Sequence, residues 1–236
     1  MRFIFVFLIL IGTSVLFAEE IDTSIEGSSR IYFLDGTVKY KKKGQNSWSD
    51  AELNHKLSAG DEIKTGENGK VTIKLANSGV IRLKELSSII IPEVEENKPE
   101  KMSFIKLVWG VLWAHAKKAE HSLTVATPTA ICGVRGTKFT VEALEDENTE
   151  VNVLDGVVAV NNSSPALSKI ITMIKAGQAT HIRKGKAPLK AFKARTAFIK
   201  RSFDKFETIS KKRLVPNAKK LLYLVDELDK SLSEEK

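Results

Sequence analysis

The sequence predicts a mainly β domain, a twisted solenoid-like or rolled sheet, followed by a C-terminal α-helical hairpin. Short segments such as Val71–Leu75 alternate apolar and polar residues, as half-buried strands do. The pairs Asp35-Gly36 and Asp155-Gly156 separate such segments, which is typical of tight turns between strands. From Leu189 to Leu214 the apolar residues instead recur at spacings of three, four or seven, which is the period of an amphipathic helix.

The N-terminal residues have the pattern of a signal peptide. Arg2 supplies a positive charge, Phe3–Phe17 is almost wholly apolar, and Ala18 is a suitable residue before a cleavage site. We expect residues 1–18 to be removed, residues 19–30 to form a linker, and the remainder to be exported. An uncleaved N-terminal anchor and a buried helix are the alternatives.

Residues 31–187 contain the predicted strands. A strand–glycine–strand pattern occurs at Leu34–Val38 and again at Leu154–Val158, and Leu107–Val111 resembles both. Repeated units of this kind predict stacked coils or a rolled sheet. In Ile105–Ala116 the apolar residues occupy alternate positions, so this segment is predicted to be a strand as well.

The segment Ala126–Phe139 lies at the centre of the chain and is predicted to be a bend between strands. Proline fixes φ and removes a donor, and glycine allows a positive φ or a close approach of the backbone. We therefore predict an architectural role for this motif, whose named residues are Thr127, Pro128, Gly133, Arg135, Gly136 and Thr137.

Arg135 and Cys132 are the chemically prominent residues of this motif. The guanidinium of Arg135 is expected to satisfy backbone carbonyls at the bend or to pair with a carboxylate. The alternative is that it binds an anionic ligand. Cys132 is the only cysteine and lies between apolar neighbours, so we expect a small buried core residue rather than a catalytic thiol.

Residues 188–236 are predicted to form a basic helical hairpin, broken at Val215-Pro216-Asn217. From Arg183 to Lys220 there are fourteen lysines and arginines against Asp204 and Glu207. This pattern fits a solvated helix face, or docking to an anionic envelope surface with peripheral membrane contact. The candidate partner-binding residues are Phe192, Lys200, Arg201, Phe203 and Phe206.

The composition favours an acidic partner and contains no recognisable catalytic set. The chain has 236 residues and a formal net charge of +8. Export makes nucleic acid a poor partner. The four histidines are scattered, and we predict no catalytic residues, no metal site and no cofactor.

The central motif resembles the signature of the FecR-type periplasmic domain family, through Ala126–Ala130 and Gly133–Phe139. Gly110–Trp113 resembles the G-x-L-W strand of that family, and Asp155–Val158 resembles its closing x-G-x-V segment. The resemblance spans about residues 31–183. It implies an all-β, twisted, solenoid-like domain outside the cytoplasm that acts in protein recognition or signalling rather than catalysis.

These observations together predict an exported, non-enzymatic binding or scaffold module of the bacterial envelope, periplasmic or secreted. Its partner is expected to be an envelope protein or an anionic envelope surface. The alternative is an envelope-stress or transport signalling regulator anchored by an uncleaved N-terminal helix. Regulators of the family carry a cytoplasmic anti-sigma segment and a transmembrane helix ahead of the domain. Neither is recognisable here, so the binding module is the first expectation. The sequence does not determine the oligomeric state.

Overall fold

The structure, a computed structural model, describes residues 29–76, 79–91, 103–116, 122–195, 197 and 199–201. That part of the chain contains seventeen strands. In chain order they are β1 (Ser29–Asp35), β2 (Val38–Lys41), β3 (Ser49–Asp50), β4 (Lys56–Leu57), β5 (Glu62–Thr65), β6 (Lys70–Leu75), β7 (Gly79–Leu83), β8 (Ser88–Ile90), β9 (Ser103–Ala116), β10 (Leu123–Ala126), β11 (Ala130–Val134), β12 (Lys138–Ala143), β13 (Thr149–Asp155), β14 (Val157–Asn162), β15 (Thr172–Lys175), β16 (Gln178–Ile182) and β17 (Phe192–Lys193).

The strands form two sheets that share the long strand β9. Sheet A has the order β4-β1-β6-β7-β9-β12-β13-β16-β17. Sheet B has the order β3-β2-β5-β8-β9-β10-β11-β14-β15. All of these neighbours are antiparallel except β9 and β10, which are parallel.

Strand β9 bends at Gly110, where it passes from sheet B to sheet A. Trp109 is the last residue of β9 that pairs in sheet B, and Gly110 is the first that pairs in sheet A. Gly110 has φ of 90°, and a Cβ atom there would lie 2.3 Å from Ser87 Oγ and 2.6 Å from the carbonyl oxygen of Leu86. Only glycine satisfies both the conformation and the space at this bend.

Other strands also occur in pairs, one in each sheet, joined by a short corner. The corners of β1/β2, β5/β6 and β7/β8 lie on the same side of the molecule as the bend of β9. Leu83, at the end of β7, pairs with Leu112 close to that bend, and Asp35, at the end of β1, pairs with Lys70 at the start of β6. The corners of β11/β12, β13/β14 and β15/β16 lie on the opposite side. Asp35-Gly36 and Asp155-Gly156 are thus equivalent corners on opposite sides.

The predicted mainly β class is confirmed, whereas a solenoid is not. The repeated strand–glycine–strand pattern marks bent strands, and consecutive bent strands run antiparallel to one another. Coils of a solenoid would stack in one direction. The two sheets pack around one hydrophobic cluster. Sheet A contributes residues such as Ile73, Ile81 and Leu112, and sheet B contributes Ile63 and Leu107.

The ends of the described region differ from the expectation. β1 begins at Ser29, inside the segment predicted as a linker. Phe192–Lys193, expected on a helix, forms β17 because it pairs with β16. Helical backbone follows at residues 197 and 199–201, where the N–H of Ile199 donates to the carbonyl of Arg195. The predicted signal peptide 1–18 and most of the hairpin lie outside the described residues, so the hairpin is not confirmed.

Among the residues that the structure describes, no helix is both long enough and apolar enough to cross a membrane.

Candidate functional site

The turn at Thr127–Thr129 connects β10 to β11 and joins the two sheets. The N–H of Ala130 donates to Thr127 Oγ1 at 2.9 Å, which closes the turn. Thr149, the first residue of β13 in sheet A, places its Oγ1 2.7 Å from the hydroxyls of both Thr127 and Thr129. All three threonines are buried, whereas Pro128 is exposed at the tip. The motif residues Thr127 and Pro128 therefore form a turn held by hydroxyl contacts, with no free polar group aimed at a ligand.

Gly136 and Thr137 form the corner between β11 and β12. Thr137 is buried, and its Oγ1 lies 3.1 Å from the carbonyl oxygen of Val157 and 3.2 Å from that of Arg135. At the next corner Gly156 has φ of 82°, and a Cβ there would lie 2.9 Å from the carbonyl oxygen of Gly136. The two corners thus pack backbone against backbone, which is an architectural arrangement.

Gly133 and Arg135 do not have the roles expected at a bend. Gly133 lies within β11, and a Cβ built on it would meet nothing within 4 Å. Arg135 is exposed, and its guanidinium makes no hydrogen bond or ion pair with any other described residue. The expectation that Arg135 satisfies carbonyls at the bend therefore does not hold. Its side chain is available to an external anion.

A row of side chains crosses the outer surface of sheet B through Gly133. Thr124 is the register partner of both Phe104 in β9 and Gly133, and Ala159 is the register partner of both Gly133 and Met173 in β15. Phe104 is 40% exposed and Met173 is 54% exposed. Small residues separate them by four strand spacings, about 19 Å. We call these five residues the open face; Thr124 within it is only 7% exposed, and the distance between its two borders accommodates an α-helix of about 10–12 Å diameter.

Sheet B as a whole carries a positive excess, and the five strands of the open face contribute Lys106 and Lys175 to it with no carboxylate. Sheet B strands contain five lysines and two carboxylates, namely Lys39, Lys41, Lys64, Lys106 and Lys175 against Asp50 and Glu62. Both carboxylates already bind lysines: Lys39 Nζ lies 2.7 Å from Asp50, and Lys41 Nζ lies 2.9 Å from Glu62. Lys106 is exposed one row from Phe104. The remaining charge on this surface therefore favours an acidic partner.

The candidate partner-binding residues of the C-terminal segment are placed only in part. Phe192 in β17 is partly exposed and contacts His181 edge to face, with ring centroids 5.0 Å apart. Lys200 and Arg201 are exposed. Phe203 and Phe206 lie outside the described residues.

Titratable groups in the described part of the chain do not form a metal cluster. No group of three or more potential ligands lies close enough there to hold an ion. His181 Nε2 lies 2.8 Å from Glu150 Oε2, which forms a single pair on sheet A. Cys132 is fully buried, and burial raises the pKa of its thiol to about 12. A thiol in that state is a poor nucleophile at neutral pH.

Comparison with known families bears on the central region of this fold. Residues 61–159 match the family model described as FecR protein. This region is a FecR-type domain. It includes strands β5 to β13, which belong to both sheets, and the six motif residues named in the sequence analysis. The resemblance found in the sequence is thereby confirmed for this part of the chain.

Two crystal structures of a candidate anti-sigma factor from Parabacteroides distasonis ATCC 8503 are similar to this chain. They have 15% and 17% sequence identity and TM-scores of 0.48 and 0.49. In each case 59% of this chain is covered, and the match spans 62% of the solved chain, about three fifths of its length. No curated protein matches the chain.

Sequence reasoning missed the open face, although part of its signal was present. In β9, Phe104 and Lys106 alternate with the buried Ile105 and Leu107, so their outward direction was readable from the sequence. That Phe104 shares a row with Met173 was not readable, because it depends on the register of five strands.

Proposed function

We propose that this chain is an exported, non-enzymatic recognition module of the bacterial envelope whose FecR-type domain binds a protein partner through the open face. The observation that carries the proposal is the row in which exposed Phe104 and Met173 flank the small residues Thr124, Gly133 and Ala159. Exposed aromatic and Met side chains around a flat floor are typical of interface cores. Export rests on the signal-peptide pattern of residues 1–18.

The partner chemistry follows from the shape and charge of this surface. The strands that border the open face, β9 and β15, are about 19 Å apart, which leaves room for an amphipathic helix laid along the strands. Its apolar face would contact Phe104 and Met173. Carboxylates at its margins would meet Lys106 and the exposed Arg135. The proposed partner is therefore an envelope protein that presents an acidic amphipathic helix.

Gly133 offers a sharp test because substitution there leaves the fold unstrained. A photo-crosslinking amino acid at position 133, in the full chain, should capture a partner that position 53 does not. Leu53 is a suitable control because it is also an exposed apolar residue but lies outside sheet B. The captured protein is then purified and its affinity for the chain is measured directly.

In that measurement Gly133→Gln places a side chain in the middle of the open face and should weaken binding by tenfold or more. Leu53→Gln should leave the affinity unchanged. Equal affinities for the two variants, or equal crosslinking at both positions, would reject the open face as the binding surface.

A signalling regulator is the second candidate, and the FecR-type match over residues 61–159 favours it. This role requires the domain to stay anchored. N-terminal sequencing of the mature protein separates the two: a start near Glu19 excludes an uncleaved anchor.

The basic C-terminal segment supports a further mode of binding, to an anionic envelope surface. Lys200 and Arg201 are exposed at its described end. Binding to vesicles that contain anionic lipid should weaken with added salt and disappear when residues 202–236 are removed, a cut that leaves β17 in place. Salt-independent binding, or binding unchanged by the cut, would eliminate this mode.

A further inference from the structure

The outer face of sheet A is buried, unlike that of sheet B. One row of register partners crosses it from β1 to β16, and its members alternate with core residues such as Ile73, Ile81 and Leu112. Along this row lie Phe33, Thr72, Arg82, Trp113, Thr140, Asn152 and Ala179. All of these except Arg82 are buried, and Trp113 is only 7% exposed.

This burial is separate from the hydrophobic core. Phe33, Trp113 and Ala179 are buried, yet none of them belongs to the core cluster between the sheets. Arg82 stacks on the indole of Trp113 at 4.2 Å, which covers part of the ring. No strand in the described part of the chain forms a third layer over this face. On the open face of sheet B, by contrast, Phe104 and Met173 remain exposed.

We propose that the amphipathic segment at residues 197–214 lies across the outer face of sheet A and covers this row. The described chain leads there: β17 is the last strand of sheet A, and helical backbone begins shortly after it, at residues 197 and 199–201. The buried row crosses six strand spacings, about 29 Å. A helix of residues 197–214 would be about 27 Å long.

The side chains of the segment fit this position. At helical spacing Ile199, Phe203 and Phe206 share one face, which supplies the apolar surface that Phe33 and Trp113 require. The opposite face carries Arg201 and Lys205 and points away from the sheet, with Lys200 at its margin.

Charge on the sheet agrees with a basic occupant. Glu142 and Glu150 are register partners on the same outer face, one row from Trp113 and Thr140. Burial is the main cause that raises the pKa of Glu142, and the neighbouring Glu150 raises it further while Lys84 opposes the shift. A helix rich in lysine and arginine beside these carboxylates offsets their repulsion.

This inference does not depend on the proposed function. It assigns the two outer faces different occupants: the chain's own C-terminal segment on sheet A and a partner on sheet B. The apolar side of the segment contacts the sheet, while its basic side remains free to contact an anionic surface.

Thiol labelling tests the position of the segment. Thr140→Cys introduces a reporter on the covered row, and native Cys132 stays silent because it is fully buried. Removal of residues 202–236 should raise the labelling rate at position 140 by tenfold or more, and the free peptide 202–236 should restore protection. Ala159→Cys on the open face is the control, and its rate should not change.

Phe206→Asp in the full-length chain gives the same test without truncation and should also expose position 140. Continued protection at that position, in shortened or Phe206→Asp protein with an unchanged circular dichroism spectrum, would overturn the proposal. The proposal would also be overturned if position 140 lost its protection only when residues 1–28 were removed, because the N-terminal segment would then cover the row.

Discussion

Thr149 Oγ1 lies 2.7 Å from Thr127 Oγ1, and this contact ties the start of β13 in sheet A to the turn after β10 in sheet B. The same oxygen lies 2.7 Å from Thr129 Oγ1. All three threonines are buried, and the Thr149 hydroxyl finds its partners in the other two, whereas Thr127 Oγ1 also accepts the N–H of Ala130.

Replacing Thr149 by valine should therefore destabilise the protein by about 1–3 kcal/mol, because two buried hydroxyls lose a partner while the volume is kept. Urea unfolding measures this change. Thr172→Val in β15 is the matched control, since Thr172 is only half-buried, and it should change stability by less than about 0.5 kcal/mol. Equal midpoints for the two variants would contradict a supporting role for the threonine cluster.

Gly110 and Gly133 should respond in opposite ways to alanine. Gly110→Ala puts a Cβ against Ser87 at a positive φ and should cost about 2 kcal/mol or more. Gly133→Ala meets nothing within 4 Å and should be neutral or slightly stabilising. Thermal unfolding of both variants decides this, and a destabilised Gly133→Ala would show that β11 is more crowded than its geometry indicates.

Arg135 and Thr137 occupy one corner but should differ in their effect on stability. Arg135→Ala removes an exposed side chain without a partner among the described residues, so we expect a change of less than about 0.5 kcal/mol. Thr137→Val removes buried contacts to backbone carbonyls and should cost about 1–3 kcal/mol. A large loss for Arg135→Ala would restore the bend-stabilising role that the sequence suggests.

Glu142 should make stability fall as pH rises. In the native state its pKa is raised above 4.5, the ordinary value that holds in the unfolded chain. Between pH 4.5 and the higher native pKa, the folded protein therefore binds more protons than the unfolded chain. Stability therefore declines as pH increases through that window and levels off above it. Glu142→Gln should remove this decline and raise the unfolding temperature at neutral pH relative to the parent.

Unfolding temperatures measured from about pH 4 to pH 8 follow this effect. Glu145→Gln, in the exposed loop after β12, is the control and should keep the pH profile of the parent. A Glu142→Gln profile parallel to that of the parent would show that burial of Glu142 does not affect folding.

Local pattern was sufficient for much of the fold. Alternation in segments such as Val71–Leu75 predicted strands that the structure contains. Asp35-Gly36 and Asp155-Gly156 predicted breaks between strands, which are present, but the tight hairpin turns expected there are instead corners at which a bent strand passes from one sheet to the other. These features depend on residues close in sequence, where side-chain direction and φ preference act directly. The FecR-type signature was readable for the same reason.

Phe192 shows where local pattern fails. Its spacing to Ile199 fits a helix, yet it lies in β17, because pairing with Ala179 of β16 satisfies its backbone in an extended form. Arg135 shows the same limit: the adjacent Gly136 indicates a corner, but only the packing of the next corner shows that Thr137, and not the guanidinium, satisfies the carbonyls.

The sequence by itself determined the β class, the glycine-marked bends, the buried state of Cys132 and the family of the central domain. Only the tertiary structure decided that consecutive bent strands run antiparallel, that Gly133 lies on an open surface, and that Trp113 is buried outside the core. The physical reason is register. Which side chains share a row depends on hydrogen bonds between strands far apart in the chain, and no local propensity encodes that alignment.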